Sequence, residues 1–253
     1  MSIFRSVVFV AALAGLVAGL ALAAMQAFST VPLILQAETF ENAAPAEAVA
    51  APHEHAPGTP AHDHGDAAAA HEHNPNAWAP ADGFERTAYT VGSNIVTGIG
   101  FALILLVASE FAGGLGGWRK GVVWGLAGFA IFTLAPGLGL PPELPGMPAA
   151  DLEGRQLWWI ATALATAIGL AMIAFRGTIV WSLAGVALIV LPHIIGAPQP
   201  VDHTTAVPHD LHRSFVIAST LTNLVFWVIL GGLVGVLRGR WFGESASLQG
   251  RLA

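Results

Sequence analysis

The residues best suited to chemistry are histidines in pairs. His53 and His55, His62 and His64, and His71 and His73 make three His-x-His pairs, six of the ten histidines in 253 residues. Carboxylates sit inside or beside them: Glu54, Asp63 with Asp66, and Glu72. In an extended chain residues i and i+2 point the same way, so both imidazoles of a pair can approach one ion. Imidazole with carboxylate suits borderline divalent metals such as Zn, Ni, Co and Cu(II). The chain has no cysteine, which leaves nitrogen and oxygen as the available ligands. The segment reads as a metal-collecting loop with two or three weak sites. The alternative is a solubilising low-complexity linker, or a buffer with no part in moving metal. Flexible imidazoles do not select cobalt, because Cu(II), Ni and Zn outcompete it. A tethered loop raises the local metal concentration, and discrimination then needs a more rigid site.

Candidates for that site lie near the apolar runs. His193 follows Pro192 inside one of them, a costly place for a polar ring without a partner. It is either a metal ligand or a structural histidine bonded to a carbonyl freed by the proline. Glu38 and Glu41 can share one helical face, or stand as solvated interfacial acids. Glu143 lies in the sequence PPELP, held between prolines, or is a loop surface acid. The expected metal ligands are therefore His53, His55, His62, His64, His71, His73, His193, Glu38, Glu41 and Glu143. Asp202, His203, His209, Asp210 and His212 crowd a later loop; His209 and His212 could share a metal if helical, but a solvated loop is the stronger reading for them. Asn94, Thr97, Thr222 and Asn223 are polar groups within apolar runs. They bond neighbouring helices or, for Asn94 and Asn223, line a path.

The elements that must position these groups are membrane helices. The chain is 55% hydrophobic and 10% charged, with a mean hydropathy of +0.65. A soluble domain carries about 25% charged residues, so this one belongs in a bilayer. Its net charge of −6 argues against a nucleic-acid partner. Six runs approach the roughly 20 residues needed to cross: residues 7–27, 87–109, 121–138, 157–175, 179–195 and 215–237. The expected fold is an all-α integral membrane bundle of about six transmembrane helices, with a His-rich outer loop disordered without metal. The divisions expected are 1–41 (first helix and outer junction), 42–76 (His-rich loop), 77–238 (five-helix core with Pro-rich outer loops) and 239–253 (cytoplasmic tail). A signal-peptide reading of the first run would leave five spans. Against it, Gly15 and Gly19 with Ala11 and Ala23 form a small-residue packing stripe.

Basic residues orient the bundle. With both termini cytoplasmic, Arg5, Arg119, Lys120, Arg176, Arg238, Arg240 and Arg251 lie inside, and only Arg86, Arg155 and Arg213 outside. Every histidine then falls on or near the outer side, and of the acidic residues only Glu110 and Glu244 fall inside. Pro136, Gly139 and Pro141 end the third run much as Pro192, Gly196 and Pro198 end the fifth. Such paired breaks free backbone carbonyls, tolerated where they face protein or a watery cavity.

Several longer motifs carry a family resemblance: VPLILQAETFE (31–41), WAPADGFERTAYT (78–90), LAPGLGLPPELPGMPAADLEGRQLWW (134–159), LPHIIGAPQP (191–200) and FVIASTLTNLVFW (215–227). The chain resembles the CbtA family, the membrane subunit of a proposed cobalt transporter, over nearly its whole length. The resemblance implies about five spans, cobalt uptake serving cobalamin synthesis, and a small single-span CbtB partner with histidines of its own. It supports Glu38, Glu143 and His193, which fall in the matching motifs.

The reading is a bacterial inner-membrane uptake protein carrying a divalent transition metal as cargo, Co(II) first and Ni(II) or Zn(II) as alternatives. A CbtB-like subunit, a homo-oligomer and the bilayer itself are the expected partners. A metal sensor or assembly protein without transport is the alternative. No Walker A sequence surrounds Lys120, the only lysine, and no HEXXH motif occurs, so neither that mode of ATP binding nor an enzyme is expected. An inside-negative potential of about 100 mV supplies about 4.6 kcal/mol for a divalent ion, enough without ATP.

Overall fold

The computed structural model describes residues 3–43, 78 and 80–252. The six paired histidines, and with them the expected disorder of their loop, lie outside the described residues. Among those described, every regular element is helical: α1 (Ile3–Phe28), α2 (Val31–Ala43), α3 (Phe84–Glu110), α4 (Trp118–Phe129), α5 (Ala135–Gly139), α6 (Leu152–Arg176), α7 (Ile179–Ile195) and α8 (His209–Leu252), with a π-helical turn at Ala130–Leu134 joining α4 to α5.

All six expected spans are present as helices. Five are long and apolar enough to cross a membrane: Phe4–Phe28, Phe84–Glu110, Trp118–Gly139, Leu152–Arg176 and His209–Arg240. The sixth, α7, has 17 residues. At 1.5 Å per residue it reaches about 26 Å, short of the roughly 30 Å hydrocarbon core. The third span continues past Phe129 because the helix widens into a π turn just before Pro136, whose missing N–H and bulky ring a regular α-turn accommodates poorly. The Leu140 N–H then donates to the Pro136 carbonyl at 2.8 Å and the helix stops. α7 ends alike: the Gly196 N–H donates to the Pro192 carbonyl at 3.0 Å. α6 has conventional ends. Asp151 caps its start by accepting from the Gly154 N–H at 2.6 Å, and Gly177 at φ +62° closes it.

The bundle is built from antiparallel helix pairs: α1 with α3, α4 with α8, and α6 with α7, while α1 also packs on α8. Lipid offers no hydrophobic drive between helices, so close backbone approach at small residues does the packing. A Cβ on Gly19 would fall 2.6 Å from the Ile95 Cα, and one on Gly98 would fall 2.7 Å from the Gly15 carbonyl oxygen. The packing stripe expected at Gly15 and Gly19 is therefore real. Gly121, Gly125, Gly231 and Gly235 make the same seam between α4 and α8. Gly169 and Gly185 do so between α6 and α7, each leaving 2.6 Å between a notional Cβ and the other's carbonyl oxygen. An aromatic knot joins the pairs. Trp227 of α8 stacks on Phe132 of the π turn, at 5.7 Å and 5°, and donates its indole N–H to Thr133 Oγ1 at 3.3 Å.

The two ends of the bundle differ. At one, Arg238 of α8 reaches Glu110 of α3 at 2.7 Å and the Leu115 carbonyl at 2.9 Å. At the other, a small apolar cluster of Ala37, Leu144, Val207, Leu211 and Phe215 ties α2 and the two Pro-rich loops to the start of α8.

Candidate metal-entry site

The loop end of the bundle gathers the described candidates. Glu38 and Glu41 both lie on α2, three residues apart, but their surroundings differ. Glu38 is half-buried and takes both guanidinium nitrogens of Arg86, one of them at 3.2 Å, and Arg86 also holds Asp82 at 3.3 Å. Glu41 is exposed and its Cβ packs beside Gly146. Glu143 is half-buried and pairs with Arg155 at 3.2 Å. Its neighbour Leu144 is buried, which anchors the PPELP segment.

His193 sits on the last turn of α7, half-buried, with its ring edge-on to Trp158 and 5.7 Å from it. The Trp158 indole N–H donates to the Pro192 carbonyl at 3.2 Å, and a Cβ on Gly139 would meet this same indole. The two proline-broken helix ends therefore converge on one tryptophan. Neither ring nitrogen of His193 hydrogen-bonds a described residue, so the bond to a carbonyl that would make it structural is not found among them.

The later loop is mostly structural. His212 Nε2 lies 3.1 Å from the Pro142 carbonyl, docking α8 onto the PPELP segment. Asp202 accepts from the Thr204 hydroxyl at 2.7 Å and its N–H at 2.8 Å, which holds its carboxyl below the usual carboxylate range. His203 and His209 are exposed.

Between α1, α2, α3 and α8 lies a cavity of about 440 Å³ with a polar wall: Gln26, Thr90, Asn94, Ser219, Thr222 and Asn223. Arg86 stands at its rim. Asn94 Nδ2 donates to Gln26 Oε1 at 2.7 Å and Asn223 Nδ2 to the Ser219 carbonyl at 2.9 Å. A second cavity of about 410 Å³ is lined by Thr133, Pro136 and Trp159, and it shares Ser219 and Asn223 of α8 with the first. Among the described residues, no three His, Asp or Glu side chains come close enough to hold one metal ion. Glu38 pairs with Arg86, Glu143 with Arg155 and His193 lies against Trp158, so the three have separate surroundings rather than one coordination shell.

Gln26 and the arginine partners were not singled out from sequence. A signal for the arginines existed. Arg86 and Arg155 are two of the three basic residues that stand against the charge bias, and each pairs with an acid. Glu110, one of the few acids on the opposite end, is likewise matched by Arg238.

The family model for "Probable cobalt transporter subunit (CbtA)" matches residues 4–239. The chain belongs to the CbtA family. No curated protein and no solved structure matches it. For this CbtA-family chain, membership with five long apolar helices makes it a multi-pass membrane protein, a transporter subunit with a metal ion as cargo.

Proposed function

We propose that the chain carries a divalent transition metal, Co(II) first, inward across the cytoplasmic membrane. Residues 53–73 collect the ion outside, and both termini face the cytoplasm. Ni(II) and Zn(II) are competing cargoes, since nothing in imidazole or amide chemistry singles out cobalt. The observation that carries the reading is a cavity among apolar helices whose lining includes the amides of Gln26, Asn94 and Asn223 and several hydroxyls. Polar groups at membrane depth are expensive and mark pathways when they face a cavity.

The chemistry runs in stages. The three histidine pairs raise metal concentration at the mouth. Glu38 is tied to Arg86, so a cation binding there competes with a guanidinium. His193 offers an uncommitted imidazole beside the break at Pro192, a neutral ligand that metal takes only when the ring is unprotonated. Asn94 and Asn223 carry the ion past the rim. A CbtB-like single-span subunit completes the transporter, and a homo-oligomer is compatible with the same bundle.

Purified protein in liposomes tests this with Co, Ni and Zn, with and without the partner. Flux above empty vesicles, dependent on His193, supports the proposal. Metal binding without flux in either preparation would make the chain a sensor or assembly protein instead.

A further inference from the structure

We infer that the 440 Å³ cavity binds its divalent cation as an aqua ion, with the inner water shell intact, through second-sphere hydrogen bonds from the coordinated waters to Asn94, Asn223 and Thr222. This deepens the uptake reading and rests on it for the identity of the cargo.

Size comes first. A small divalent ion holds water at about 2.1 Å. Adding a water radius of about 1.4 Å gives a sphere near 3.5 Å in radius and about 180 Å³. The cavity exceeds that twofold, far more than a stripped ion needs. Chemistry agrees. A bare divalent ion inside a membrane protein costs many kcal/mol unless charged ligands replace its water. The lining offers neutral amides and hydroxyls, and its one charged group, Arg86, is a cation already held by Glu38 and Asp82. Neutral oxygens alone repay only part of that dehydration.

A water-clad cation presents only donors, so its host must present acceptors. Each amide in the wall commits one end to protein and keeps the other. Asn94 spends its NH₂ on Gln26, and Asn223 spends its NH₂ on the Ser219 carbonyl, which leaves both amide oxygens without a partner among the described residues. The Thr222 hydroxyl donates to the Ala218 and Ser219 carbonyls, so its oxygen also remains an acceptor. Asn223 lines the second cavity as well, so its amide oxygen can pass the shelled ion from one cavity to the next.

One consequence follows for selectivity. A shelled ion hides its identity, so Co(II), Ni(II), Zn(II) and Mg(II) should occupy this cavity within a few-fold of one another. The imidazoles of residues 53–73 reject Mg(II), which prefers oxygen. Rejection of hard cations then belongs to the loop.

The probe is hexaamminecobalt(III), whose ammine shell does not exchange, so it cannot be ligated by histidine. Equilibrium dialysis against the full chain in nanodiscs should find about one complex bound per chain. Asn94→Leu should weaken it tenfold or more. Asn94→Asp, which adds a charge facing the cation, should tighten it about tenfold and keeps the test alive if the leucine variant fails to fold. Mg(II) should compete. The inference is overturned if Co(II) binds in a manner sensitive to position 94 while hexaamminecobalt(III) does not, or if the complex binds with no response to either variant. If the complex binds as described but liposomes show no flux of any metal, the uptake reading fails and the hydrated-ion site stands.

Discussion

Replacing Glu38 and Arg86 in turn should move metal affinity in opposite directions. The ionic group at the rim contains Arg86, Glu38 and Asp82, a net charge of −1. Glu38→Gln makes it neutral and Arg86→Gln makes it −2. A unit charge roughly 7 Å from a divalent ion in water is worth about 1.2 kcal/mol before screening. At 0.15 M salt the Debye length of about 8 Å reduces this to about 0.5 kcal/mol, and at 0.01 M it stays near 0.9. KM for Co(II) should therefore rise about 2-fold in Glu38→Gln at 0.15 M salt and about 5-fold at 0.01 M, and fall by similar factors in Arg86→Gln. The double variant leaves Asp82 alone, again −1, and its KM should return to within 2-fold of the parent. Arg86 is 37% exposed on its side chain, so losing the pair costs stability only about 1 kcal/mol after solvent screening. Radiolabelled cobalt uptake at both salt concentrations is the assay. Shifts of the same sign in both single variants, or shifts indifferent to salt, would refute the electrostatic account of the rim.

Deleting residues 53–73 should weaken uptake at scarce metal and leave it unchanged at plentiful metal. Equal transport at every concentration would remove the loop from the mechanism. His193→Ala should lower cobalt uptake at all concentrations, with a further loss of about 0.5–1.5 kcal/mol from its contact with Trp158; unchanged uptake would discard His193 as a ligand. Gly98→Leu should push α1 from α3, because a Cβ alone already falls 2.7 Å from the Gly15 carbonyl. A thermal midpoint in detergent unchanged from the parent would contradict that close packing.

The sequence disclosed the fold through length and apolarity, and it disclosed a packing stripe on α1 because Ala11, Gly15, Gly19 and Ala23 repeat at a helical interval, but not that α3 is the partner. It also showed that Pro136 and Pro192 end two helices alike. It could not show that both ends meet at Trp158, since the indole's partners lie on α5 and α7, far along the chain. The acids were legible as residues but not as ion pairs. Glu38 and Arg86 are 48 positions apart, and only the folded bundle brings α2 within reach of the first turn of α3. The cavity was the least visible feature. Gln26 looks like the polar end of an apolar run until Asn94 is placed against it. Asn94 and Asn223 carried a signal because an amide in a span is costly wherever it points.

The proposed activity is inward movement of a doubly charged ion down the membrane potential. Liposomes holding the protein and its single-span partner, set to about 100 mV inside-negative by a potassium gradient, should accumulate radiolabelled cobalt. The limit is more than a thousandfold over the outside concentration, set by about 4.6 kcal/mol. Collapsing the potential should release that cobalt. Accumulation no greater than in protein-free vesicles, with the potential intact, would rule out potential-driven uptake by this chain.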